Sequence, residues 1–79
     1  MRVFEAVLEL ENRYQSGPRI GEVFLTKTKV ACNALNEAEA RRMIDENFRH
    51  RMQLFYHYEV NDAGEAPVNA QSGFAVTPA

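Results

Sequence analysis

Apolar and polar positions alternate along residues 2–12. Phe4, Ala6, Leu8 and Leu10 share one side; Val3, Glu5, Val7, Glu9 and Glu11 share the other. A period of two predicts a half-buried strand, here with an acidic outer row. Residues 13–21, RYQSGPRIG, break the alternation, and Ser-Gly-Pro predicts a turn. Residues 22–34 predict a second strand and hence a hairpin. Pairing Glu5 with Lys29 sets Phe4, Leu8 and Leu10 against Val30, Thr26 and Phe24 on the inner side. The outer side then pairs Val7, Glu9 and Glu11 with Lys27, Leu25 and Val23. Thr26 and Thr28 dilute the inner face, so a bulge that shifts the phase stays open as an alternative.

The pattern then changes period. In residues 35–51, LNEAEARRMIDENFRHR, the positions Ala40, Met43, Ile44, Asn47 and Phe48 recur at three- and four-residue spacing. That predicts an amphipathic helix with one buried stripe. Asn36 is a favoured N-cap, with Glu39 three residues on as in a capping box and Leu35 and Ala40 at staple spacing. Glu37/Arg41, Arg41/Asp45, Arg42/Glu46 and Asp45/Arg49 stand one turn apart, each pair worth about 0.2–0.5 kcal/mol. Acids lead and Arg49, His50 and Arg51 close, in keeping with the helix dipole.

Residues 53–60, QLFYHYEV, are the most β-prone stretch and predict a third strand. Leu54, Tyr56, Tyr58 and Val60 form its expected inner side. The expected fold is α+β: a two-layer β-β-α-β unit, with an antiparallel three-stranded sheet in order 2-1-3 packed by one helix. Residues 1–60 make the domain. Residues 61–79 read as a polar, flexible tail in which residues 73–77 add a short fourth edge strand. The sheet face away from the helix has nothing to cover it except that tail.

Seventy-nine residues with 46% hydrophobic content allow one small core, and a domain this size often gains stability from a staple or a partner. Cys32 is alone and no Cys/His set has zinc spacing, so self-association or docking is expected instead. No apolar run approaches the roughly 20 residues that span a bilayer, and the N-terminus lacks a signal-peptide core. A cytoplasmic protein without membrane contact is the expectation. The net charge of −2 does not point to nucleic acid, although residues 13–35 are basic and residues 52–79 contain acids but no Lys or Arg.

No phosphate loop, nucleophile elbow or HExxH is present, so neither an enzyme nor a cofactor or metal is expected. Cys32 reads as a packed apolar residue, and His50 and His57 as surface groups. Two surfaces remain. One is the outer hairpin face with Glu5, Val7, Glu9, Glu11, Leu25, Lys27 and Lys29, stickier than a merely solvated face because valine and leucine interleave with charge. The other is a basic–aromatic set, Arg41, Arg42, Arg49 and Arg51 with Tyr56, the alternative for nucleic acid.

The helix start Ala34, Leu35, Asn36, Glu37, Ala38 and Ala40, set in a strand–strand–helix–strand pattern over residues 2–60, is similar to small accessory proteins of phages and mobile elements, including compact anti-CRISPR inhibitors. The resemblance implies a sheet packed by one helix and a non-enzymatic inhibitor of a host defence complex such as CRISPR–Cas. Those families share no site motif, so no functional residue carries over. The expected function is therefore a protein-binding module for a host protein or complex. A small nucleic-acid binder and a structural homodimer are the alternatives.

Overall fold

The computed structural model describes residues 1–79. Its elements are β1 (Arg2–Arg13), β2 (Val23–Ala34), α1 (Glu37–Phe48), a single 3-10 turn at Arg49–Arg51, β3 (Asn61–Glu65) and β4 (Gly73–Pro78). The fold is α+β: one helix lies against an open four-stranded antiparallel sheet in order β3-β1-β2-β4. The hairpin β1–β2 is its long axis. Twelve residues per strand at about 3.3 Å each give roughly 40 Å, which accounts for a molecule 49 Å long and only 17 Å thick. β3 and β4 pair only with the part of the hairpin near the N-terminus of β1. The opposite end projects as a two-stranded arm, where the rings of Tyr14 and Phe24 meet at a 40° tilt with centroids 4.5 Å apart.

The core follows from the period-two rows. Phe4, Ala6, Leu8 and Leu10 of β1 and Val30, Cys32 and Ala34 of β2 are buried against Ala40, Ile44 and Phe48 of α1, with Met52, Tyr58 and Val60 closing the side. The Asn36 side chain accepts the Glu39 amide at 2.9 Å, so the expected cap is present. Glu39 does not complete the reciprocal box; its carboxylate accepts from the Ser72 hydroxyl at 3.4 Å. Leu35 is exposed and forms no staple. Three of the four expected helical ion pairs are in place, Arg41–Glu37, Arg42–Glu46 and Arg49–Asp45. No buried side-chain polar atom lacks a hydrogen-bond partner.

The hairpin register differs from expectation by two residues. Glu5 stands opposite Ala31, Val7 opposite Lys29, and Leu10 opposite Thr26. A shift of two leaves every side chain on its original face, so hydrophobic patterning cannot distinguish the two registers. The loop decides instead: the Tyr14 amide donates to Glu22 O and the Gly21 amide to Tyr14 O. Gly17 and Gly21, at φ of 82° and 85°, supply the left-handed positions the loop needs. Glu5 and Lys29 still form an ion pair of 2.8 Å, on the diagonal.

The expected third strand at residues 53–60 is not a strand. α1 carries the chain toward the arm, where the Arg51 guanidinium donates to Asn12 Oδ1 at 2.6 Å. The chain then returns beside the helix. It turns at residues 53–56, with the Tyr56 amide bonded to Gln53 O and Phe55 left-handed at φ 65°. Tyr56 is half-buried and Tyr58 and Val60 are buried, as expected for their side, but Leu54 is 83% exposed. The strand beside β1 is Asn61–Glu65 instead, and it bulges at Ala63, opposite the Val3–Phe4 step of β1. Gly64 at φ 109° and its amide bonded to Asp62 Oδ1 shape that irregularity. Residues 61–79, expected as a tail, thus supply both edge strands, and the edge strand expected at residues 73–77 is β4.

Candidate functional site

Strand alternation places Val3, Glu5, Val7, Glu9 and Glu11 of β1 on the sheet face away from α1, beside Val23, Leu25, Lys27, Lys29 and Ala31 of β2. All seven residues expected to form a partner-binding face therefore share one surface. Its apolar members are open but separated: Val7, 50% exposed, stands opposite Lys29, and Leu25, 42% exposed, lies opposite Glu11 nearer the arm, with the Glu9–Lys27 pair between them. β1 carries the acidic row and β2 the two lysines. Glu5 is tied to Lys29, while Glu9, directly opposite Lys27, and Glu11 are in no ion pair. A hollow of about 160 Å³ lies between Glu5, Ala6, Val7, Lys29 and Asn61. Two further hollows, at residues 65–70 with Met1 and Arg2 and between β2 and the end of β4, contain no His or Cys. No group of three His, Cys, Asp or Glu side chains is placed to hold a metal ion.

The basic–aromatic set is brought together only in part, and its members have internal partners. Arg41 and Arg49 flank the Tyr58 ring, at 5.5 and 5.7 Å from its centroid. Arg49 also donates to Asp45 at 3.0 Å and to Tyr56 O at 2.9 Å, which fixes the turn at residues 53–56. Arg42 pairs with Glu46. Arg51 and Asn12 continue a chain to Thr26, since Asn12 Nδ2 donates to Thr26 Oγ1 at 2.6 Å. The Tyr58 hydroxyl donates to Asp45 at 2.8 Å. Burial, aided by that carboxylate, pushes the phenol up to about 12.

Tyr56 has a role that residue type alone did not reveal. β1 outruns β3, which leaves main-chain groups on its outer edge beyond Glu5 without a strand partner. The Tyr56 hydroxyl accepts the Glu9 amide at 3.0 Å and donates to Val7 O at 3.4 Å, so one side chain stands in for the missing strand. Arg2 and Asp62 tie β3 to β1 by an ion pair of 2.7 Å. The Arg2 hydrogen bond holds the Asp62 carboxyl below the usual carboxylate range. Burial raises the Cys32 thiol, in keeping with a packed core residue.

Comparison with protein-family models, curated proteins and solved structures finds no match for this chain. No helix is long and apolar enough to cross a membrane.

Proposed function

We propose that this protein is a non-enzymatic protein-binding module that acts through the open face of its sheet. The carrying observation is the asymmetry of the two faces. On one, α1 and residues 49–60 cover the core, whereas the other presents Val7 within the Glu row of β1 and Leu25 and Val23 beyond the lysines of β2, with no element over them. Fully burying one such side chain is worth about 1.5–3 kcal/mol, so covering the exposed half of three supplies a few kcal/mol before any polar contact. Acids on β1 and lysines on β2 would set the orientation of a partner and suppress wrong ones. The narrower reading, an inhibitor of a host defence complex, rests on the resemblance of the helix start and element pattern alone.

The test uses wild type and a Glu5→Lys/Glu9→Lys variant as baits for host proteins, with amide spectra to verify that both are folded. The expected result is a partner retained by wild type and lost by the variant. Equal retention by both would sink the sheet-face reading.

A further inference from the structure

We propose that the outer edge of β4 is a homodimer site, where the β4 strands of two copies pair antiparallel about Ala75 and join two sheets into one of eight strands. The observation is a difference between the two sides of the sheet. On the β3 side the edge is guarded: β3 is short, bulged at Ala63 and carries Asp62 and Glu65, and the Tyr56 hydroxyl occupies the β1 edge beyond it. Native edges are normally blunted by such devices. β4, Gly73–Pro78, has almost none of them. Its register with β2 is unbroken, and residues 66–79 contain no charged side chain.

The phase of the strand fixes the pairing. The Ala79 amide donates to Lys27 O at 3.2 Å, so odd-numbered residues of β4 turn their main-chain groups toward β2. Phe74 and Val76 must then turn theirs outward. A two-fold axis at Ala75 sets Phe74 opposite the second copy's Val76, and the reverse, with two amide–carbonyl bonds in each pair. Pro78 has no N–H and ends the ladder. Phe74 and Val76 lie on the helix side of the sheet, 41% and 48% exposed, and Phe74 meets Phe48 edge-on at 5.4 Å. Dimerisation would continue that apolar strip across the axis.

A second copy suits this edge because an uncharged strand meets no like charge in its own image, and Phe opposite Val is a favourable cross-strand pair. One short strand is a small interface, so dissociation in the micromolar range or weaker is expected. It is independent of the open sheet face.

Sedimentation equilibrium from about 10 μM to about 1 mM, with amide exchange on the same samples, provides the test. The expected result is a dimer whose Phe74 and Val76 amides gain protection with concentration, while the Ala75 amide is protected throughout. Val76→Pro removes an outward N–H without touching the β2 ladder and should leave a folded monomer. Val76→Lys, which keeps that N–H, should weaken association about tenfold if the proline variant does not fold. Wild type remaining monomeric at the highest concentration would overturn the proposal. So would a dimer without protection at Phe74 and Val76.

Discussion

Replacing Tyr56 by Phe tests whether a side chain substitutes for a strand on the β1 edge. The ring and its packing are retained; only the hydroxyl is lost. That hydroxyl accepts the Glu9 amide at 3.0 Å and reaches Val7 O at 3.4 Å. A net hydrogen bond in a folded protein contributes about 0.5–1.5 kcal/mol. The longer contact adds little, and water reaches a half-buried site, so the expected loss is about 1 kcal/mol. With a urea dependence of about 1 kcal/mol/M for a chain of this size, the midpoint should fall by about 1 M. Thermal unfolding should move down by about 5 °C. The decisive assay is residue-resolved amide exchange. The Glu9 amide should exchange much faster in Tyr56→Phe, while the amides of Leu8 and Leu10, which face β2, should change only with global stability. Unchanged exchange at Glu9 with an unchanged midpoint would refute the idea that Tyr56 closes this edge.

Three further outcomes follow from the geometry. Asn36→Ala removes the acceptor for the Glu39 amide and should cost about 1 kcal/mol in urea unfolding, with α1 the first element to lose amide protection. Ile44→Ala empties a site that is 1% exposed; a cost of about 2–5 kcal/mol is a large share of the stability of a domain this small, so Ile44→Val, at about 1 kcal/mol, is the variant to quantify by denaturation. Tyr58 has its phenol raised to about 12 in the folded state, above the ordinary value near 10, so the folded state binds its proton more tightly than the unfolded one. Its contribution is complete below pH 10 and is lost as pH rises from about 10 to 12. Tyr58→Phe should remove a tyrosinate absorbance step near pH 12 and flatten that alkaline loss of stability.

What the sequence determined by itself is local. The Asn36 cap, the stripe through Ala40, Ile44 and Phe48, and the helical ion pairs each rest on partners no more than about one turn apart in the chain, so α1 was legible from spacing alone. The period-two rows likewise identified β1, β2 and the two faces of the hairpin, and with them the shared face of Glu5, Val7, Glu9, Glu11, Leu25, Lys27 and Lys29. The register was not legible, because a shift of two residues preserves the faces and only the loop's main-chain bonds separate the alternatives. Tertiary structure also decided which segments became the edge strands. Residues 53–60 have the composition of a strand, but their tyrosines are satisfied by Asp45 and by the β1 edge through side-chain hydroxyls. β propensity measures fit to a half-buried surface, and a groove beside a helix is also such a surface. Residues 61–65, NDAGE, have little intrinsic preference for a strand, yet they pair because the chain delivers them to unpaired main-chain groups on β1. A backbone donor or acceptor needs a partner whatever side chain accompanies it, and where the chain supplies one is a property of the assembled fold.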